Sequence, residues 1–334
     1  MIHPKRQSSR CDVLDRAVLA RATVLGVACA FLCGQVKIAD AWNSTGHMAI
    51  AAIAYDHLTP RAKRNVNALL AAHRDHSMWL TEMNSSYQQP FRFEFMKAAT
   101  WPDDIRKTPD DRPTWHYIDV PVIAPGFVPA ISSTTIPTPN AETQIGVETL
   151  ILRSPTASTE DKSVALCWVE HLIGDIHQPL HVSTYFSKDF PFGDKGGNRE
   201  VLLESEVASD PIESVARPRK LHAFWDDLFG ITKDPEEIDA MAARIEARVP
   251  NQSVRSLLHT HRTVVSWVSE GHAVAAMDVY KNGKLPIYYD PARATYLVRI
   301  TPEYIKMAHR IADRQAVLAG IRLANTLNAA LGRP

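Results

Sequence analysis

The stretch His171-Leu-Ile-Gly-Asp175-Ile-His-Gln-Pro-Leu-His181 offers His171, Asp175 and His181 as candidate metal ligands within eleven residues. His171 and Asp175 are four apart, so on a helix they stand one turn above each other on the same face. Proline has no N–H and disfavours a helical residue before it, so Gln178-Pro179 ends that helix and lets His181 return from a new direction. A second His-x-x-x-Asp pair, His222 and Asp226, follows downstream. One such pair is ordinarily a surface or capping pair. Two of them, with a further histidine beyond a proline, point instead to zinc held by imidazole and carboxylate.

The elements that must carry these groups read as helices. Thr45 is placed to cap a helix with Met48, Ile50, Ile53 and Tyr55 at helical spacing. Thr59-Pro60 opens another through Leu70. Residues 84–140 are rich in proline and read as irregular. They hold Trp101-Pro-Asp103-Asp104-Ile-Arg106 and Trp115-His116-Tyr117-Ile-Asp119, and a connection of that length tends to be functional. Glu142–Arg153 reads as a helix. Ser158-Thr-Glu-Asp161 resembles a capping box opening the helix of His171, whose apolar stripe is Val164, Cys167, Trp168 and Leu172. Residues 184–217 suggest loop and a short hairpin, with turn chemistry at Asp194–Asn198 and a strand at Val201–Leu203. Helices are then expected over Pro218–Phe229, from Asp234-Pro235, over Val254–Tyr280 as one long element, and from Thr301-Pro302 to about Leu331. No strand–helix alternation of the kind a parallel sheet needs is present. The fold class expected is all-α, one mainly helical domain with long irregular loops and at most a short hairpin.

The 334 residues carry 37 basic and 37 acidic side chains, so no strong positive field would capture duplex nucleic acid unaided. Fourteen histidines suit a metal protein. Residues 1–41 read as a cleaved signal peptide: a leader with Lys5, Arg6, Arg10, Arg16 and Arg21, an apolar run Ala22–Cys33 too short to span a bilayer, and Ala39-Asp40-Ala41 before the cut. The mature domain is then 42–334, starting at Trp42. Cys11, Cys29 and Cys33 leave with the leader, and Cys167 remains as a buried small hydrophobe. Asn43, Asn84 and Asn251 match the glycosylation sequon, a pattern common by chance. A bacterial periplasmic or secreted destination is expected.

Trp42, His47, Asp103, His116, His171, Asp175, His181, His222 and Asp226 mark a pattern across this whole mature stretch. Its anchors are Trp42-Asn-Ser-Thr-Gly-His47, Trp101-x-Asp103, His116-Tyr-Ile-Asp119, His171-x3-Asp175-x5-His181, Gly196-Gly-Asn198, His222-x3-Asp226 and Arg322-Leu-Ala-Asn325. In this order they resemble the zinc-dependent single-strand nucleases with 3'-nucleotidase activity, which share a fold with zinc phospholipases C. The resemblance implies three Zn2+ ions. Asp103, His116, His171 and Asp175 would hold the first. The amine and carbonyl of Trp42, with His47 and the bridging Asp175, would hold the second. His181, His222 and Asp226 would hold the third. It further implies a zinc-bridging hydroxide attacking phosphorus in line, Arg106 stabilising phosphoryl charge, and Asp103 and Asp175 as catalytic supports. Tyr117 would stack on a base and Asp119 bond its edge, with Asn198 also at the substrate. The implied partners are single-stranded DNA, RNA and 3'-nucleotides, cleaved by a monomer to 5'-phosphate products.

Two other readings stay open on the residues alone. A phospholipase C-type phosphodiesterase would use the same scaffold, although that branch usually carries Glu where Asp226 stands. A zinc-binding protein without catalysis would need neither Arg106 nor the Tyr117/Asp119 pair. Asp104 and Asp227 adjoin proposed ligands and could exchange roles with them. His177, two residues past Asp175, points off the ligand face.

Overall fold

A computed structural model of the chain describes residues 42–202 and 219–332. The expected leader, its cleavage site at residue 41, and the part of the hairpin excursion from 203 onward lie outside the described residues, as does the expected helix start at Pro218.

Twelve α-helices occur among the described residues, so the mainly helical expectation holds. They are α1 (Ser44–His57), α2 (Pro60–Ala71), α3 (His76–Glu82), α4 (Pro90–Ala98), α5 (Trp101–Asp104), α6 (Ala141–Arg153), α7 (Thr159–Asp175), α8 (Leu221–Asp226), α9 (Pro235–Arg248), α10 (Asn251–Thr260), α11 (Val264–Val274) and α12 (Pro302–Leu331). Two elements form the centre. In α1 every residue from Thr45 to Tyr55 is buried, and in α7 every residue from Ala165 to Asp175 is buried. A helix apolar around its whole circumference must be enclosed by others; α1 is covered by α12, α9, α4 and α7. His47, His171 and Asp175 therefore sit on the most enclosed helices of the fold.

Local signals set several ends as expected. Ser158 and Asp161 form the reciprocal capping box of α7, Thr59 caps α2 and Asp234 caps α9, each of the last two with proline at the first turn. Thr301 caps α12. Three expectations change. Asn43, not Thr45, caps α1 by accepting the Gly46 N–H, while the Thr45 hydroxyl donates to the Thr232 carbonyl at 2.6 Å. Within the stretch read as irregular, Pro90 opens α4. Its rings Phe91, Phe93 and Phe95 repeat every two residues and so mask a helical period, yet Phe93 and Phe95 are buried, contributing about 1.5–3 kcal/mol each. The single helix expected over Val254–Tyr280 is interrupted: α10 ends at Thr260, Thr263 caps α11 in a box with Ser266, and Ala275–Val279 continues as a π-helical turn.

Strand content is small. β1 (Pro121–Ile123) pairs in parallel with β2 (Thr184–Phe186). β3 (Glu200–Leu202) lies parallel to β5 (Thr295–Val298), which is antiparallel to β4 (Ile287–Asp290). The expected strand at Val201 thus exists as β3, but its sheet partner is distant in sequence.

Candidate metal centre

Three elements converge on the C-terminal end of α7. His171 and Asp175 project from one face, as their spacing requires. His47 arrives from α1, Asp103 from α5 and His116 from the 3-10 turn Pro113–His116. Asp175 Oδ2 lies 3.2 Å from His116 Nδ1 and 3.3 Å from His171 Nε2, and its Oδ1 lies 3.3 Å from His47 Nε2. Asp103 Oδ1 is 3.6 Å from His171 Nε2 and 3.7 Å from His116 Nδ1. The two groups His47/Asp103/His171 and His116/His171/Asp175 each gather ligand-type atoms within 4.8 Å of one another. His47 and His171 also stack with ring centroids 4.0 Å apart.

A third group, His181/His222/Asp226, is equally tight. His181 reaches it because α7 stops at Asp175 and Pro179 begins a 3-10 turn. Two hydrogen bonds lock that turn to the segment bearing His116: His181 Nδ1 pairs with the His116 carbonyl at 2.7 Å, and the Ile118 N–H donates to the His181 carbonyl at 2.7 Å.

Tautomers follow from the outer ring nitrogens. His171 Nδ1 faces the Ala99 carbonyl, His181 Nδ1 the His116 carbonyl and His222 Nδ1 the Gly196 carbonyl. A carbonyl only accepts, so each Nδ1 carries the proton and each Nε2 presents a bare lone pair in the neutral ring. His181 Nε2 and His222 Nε2 are nonetheless 2.9 Å apart, and His171 Nε2 is 2.9 Å from His116 Nδ1. The bare Nε2 lone pairs of His181 and His222 repel at that separation unless a cation lies between them, whereas a protonated His116 Nδ1 would donate to His171 Nε2. Neither nitrogen of buried His47 has a hydrogen-bond partner. Imidazoles steered by backbone carbonyls, with carboxylates beside them, suit a zinc-type cation. His116 departs from the pattern, since its outer Nε2 is buried without a hydrogen-bond partner.

Burial holds the rings neutral. It lowers His47 and His222 to about 4 and His171 to about 3, and drives His116 and His181 well below the usual histidine range. Burial raises Asp103, against the opposing pull of Arg106. Imidazole that stays unprotonated at neutral pH is the ligand form.

Two glycines make the approach possible. A Cβ on Gly174 would meet His47 Nδ1 at 2.8 Å, so α1 and α7 could not close as they do with any larger residue. Gly196 has φ +61°, and a Cβ there would meet the Leu180 carbonyl oxygen at 2.4 Å; the turn that supplies the carbonyl for His222 needs glycine.

The other expected site residues fall as follows. Arg106 donates to Asp103 Oδ1 from Nε at 2.9 Å and Nη2 at 2.6 Å, beside the first cluster. Trp42 is fully buried against Phe229, and the next residue, Asn43, donates its N–H to the carbonyl of Asp226. The chain start of the described residues is therefore tied to the helix of the third group. Tyr117 and Asp119 are half-buried on the segment between His116 and β1. Burial and the neighbouring Asp194 push Asp119 up to about 6, with Lys195 opposing. Asn198 spends its side-chain N–H on the Lys195 carbonyl, closing the turn next to His222. Asp104 and Asp227 are occupied elsewhere, by Lys97 and by Asn43, which leaves Asp103 and Asp226 facing the clusters.

Two supporting links lie outside the spacing of the ligands. Gln178 Nε2 donates to Asp226 Oδ1 at 2.7 Å while its Oε1 accepts the Leu180 N–H, joining the α7 turn to α8. His177 Nε2 accepts from Arg322 Nη1 at 2.7 Å, and Glu270 holds Arg322 from the other side at 2.8 Å. Arg322 in its Arg-Leu-Ala-Asn run and the polar Gln178 before a proline were the available signals.

A family model described as S1/P1 nuclease matches residues 42–332. The chain is similar to endonuclease 3 of Arabidopsis thaliana, 24% identical over 302 residues covering 86% of this chain and 88% of that protein. It is also similar to endonuclease 2 of the same plant, 30% identical over 170 residues, and to endonuclease 5, 26% identical over 175 residues. Those two matches cover 50% and 49% of this chain and span about half the length of each relative, 52% and 50%.

Proposed function

This chain belongs to the S1/P1 nuclease family, whose members hydrolyse phosphodiester bonds in nucleic acids and are generally zinc-dependent, and from that premise we propose an exported trinuclear-zinc endonuclease. It cuts single-stranded DNA and RNA to 5'-phosphate products and removes phosphate from 3'-nucleotides. The observation that carries this reading is one fully buried carboxylate, Asp175, within 3.2–3.3 Å of His47, His116 and His171, with a separate group of His181, His222 and Asp226 beside it.

Trp42, His47 and Asp175 would hold one ion, Asp103, His116, His171 and Asp175 its neighbour, and His181, His222 and Asp226 the third. Bound zinc would supply a hydroxide at near-neutral pH and Lewis acidity at the phosphate and leaving oxygen. The chain's own groups do the rest. Arg106, oriented by Asp103, donates to a phosphoryl oxygen whose charge grows as the bond breaks. Tyr117 offers a ring face to an unpaired base, which favours single strands. Asp119, when ionised, accepts from the base edge. Removal of residues 1–41 frees the Trp42 amine, whose ordinary pKa near 7.7–8.0 lets it bind a metal close to neutral pH. Export to the periplasm or medium and a monomeric state complete the proposal. Among the described residues, no helix is long and apolar enough to cross a membrane.

The test is paired substrates. Zinc-loaded protein should cut a single-stranded oligonucleotide to 5'-phosphorylated fragments and release phosphate from a 3'-nucleotide, leaving phosphatidylcholine intact. Cleavage of the lipid alone would move the chain to phospholipase C chemistry. No turnover of any of the three would leave metal binding without catalysis.

Asp119 adds a pH signature. Its carboxyl is raised to about 6, so it is ionised above that pH and protonated below it. The expected result is a KM for nucleotide that rises as pH falls through about 6, with Asp119→Asn showing a flat profile. An unchanged profile in Asp119→Asn removes this residue from base recognition.

A further inference from the structure

The edge of the three-stranded sheet carries a line of aromatic rings that ends beside the third ligand group. Tyr289 on β4 and Tyr296 on β5 are register partners with ring centroids 5.3 Å apart. Tyr296 packs on Phe190 at 4.5 Å, and its hydroxyl donates to the Asp189 carbonyl. From there the loop runs through Phe192 to Asp194, whose carboxylate accepts the Gly196 and Gly197 N–H groups, and Gly196 gives its carbonyl to His222. Two of these rings face solvent: Tyr289 is 52% exposed and Phe192 75% exposed. In residues 188–199 the exposed charges are Lys188, Lys195 and Arg199 against Asp189, because Asp194 is buried. Elsewhere the one large ring of comparable exposure among the described residues is Phe91, alone on α4, while Val128, Ile131 and Leu150 are aliphatic and offer no ring face.

Rings interleaved with cations are what unpaired nucleic acid binds: bases stack on the π-faces and phosphates meet the charges. Neighbouring strands lie about 4.8 Å apart, so β4 stands roughly 10 Å beyond β3, a reach of a nucleotide or two. We infer that Tyr289 and Phe192, with Lys188, Lys195 and Arg199, form a track for the nucleotides of a single strand that extend past the one being cleaved. The inference rests on the nuclease reading and adds to it: affinity grows with strand length along a defined surface outside the ligand groups.

The test compares wild type, Tyr289→Ala/Phe192→Ala, Tyr289→Phe and Tyr288→Ala. Tyr288 is exposed on the opposite face of β4 and serves as control. Two readouts are taken: anisotropy of a fluorescent single strand with non-hydrolysable linkages, and turnover of a 3'-mononucleotide, which is too short to reach the track. The double variant should bind the strand about tenfold or more weakly with mononucleotide turnover unchanged, while Tyr289→Phe and Tyr288→Ala match wild type. Unchanged strand affinity in the double variant overturns the track and leaves the nuclease reading standing. A change in oligomeric state with strand affinity intact assigns the patch to a second copy of the chain and also overturns it. Wild type that turns over neither strand nor mononucleotide sinks the nuclease reading and the track together.

Discussion

Asp175→Asn is expected to lower cleavage of single strands by more than about 10³-fold. One preorganised electrostatic donor is worth about 10²–10³ in kcat, and Asp175 lies 3.2–3.3 Å from three histidines, His116, His171 and His47. Asparagine keeps the shape and removes the charge, so the loss reads the carboxylate and not a cavity. Stability should respond with a sign that depends on metal. Asp175 is the last residue of α7, where a negative charge meets the negative end of the helix dipole at a cost of about 0.3–1 kcal/mol. With zinc removed by chelator, Asp175→Asn should therefore unfold at the same temperature as wild type or slightly above it. With zinc added, wild type gains stability in proportion to its occupancy, and the variant gains far less. Calorimetry in chelator and in zinc checks both halves. Equal zinc-dependent gains in the two proteins would remove Asp175 from the centre.

A mature chain that begins Met-Trp42 should lose about 10²-fold or more in activity, of the order lost with a preorganised group at a reacting centre. The added peptide bond converts the amine into an amide nitrogen that does not bind zinc at neutral pH. The same addition must also be housed at a buried position, since Trp42 is fully enclosed against Phe229 and Gly46 leaves room for its Cβ. The comparison is therefore made with thermal unfolding in chelator alongside activity. Lost activity and lost zinc affinity with unchanged chelated stability identify the amine as a ligand. Full activity removes it.

What could be read from the residues divides by distance along the chain. The four-residue spacing of His171 and Asp175, and of His222 and Asp226, fixes a shared helical face wherever those segments lie. Proline at 179 fixes the return of His181. The caps at Thr59, Ser158, Asp234 and Thr301 are local chemistry and are legible for the same reason. Where local signals compete, the reading fails. Asn43 and Thr45 could each cap α1, and the choice falls to Asn43 because Thr45 finds the Thr232 carbonyl, 187 residues away. The break between α10 and α11 rests on a Thr263–Ser266 box, weaker in sequence than one closed by Glu or Gln. Contacts across the fold carry no spacing at all. Gln178 to Asp226 spans 48 residues and His177 to Arg322 spans 145, so the props behind the ligand turn emerge only once α7, α8 and α12 are packed. The carbonyls that set the tautomers, from Ala99, His116 and Gly196, are backbone groups and have no residue signature.

The central claim is that three cations occupy three groups of ligands, two of them joined through Asp175. Crystals of the mature protein grown with zinc, measured on either side of the zinc absorption edge, test it most directly. The account predicts three anomalous peaks: two flanking Asp175, one of them beside His47 and Trp42, and one among His181, His222 and Asp226. Peaks confined to surface histidines such as His57 or His309, with none at the buried groups, would contradict it.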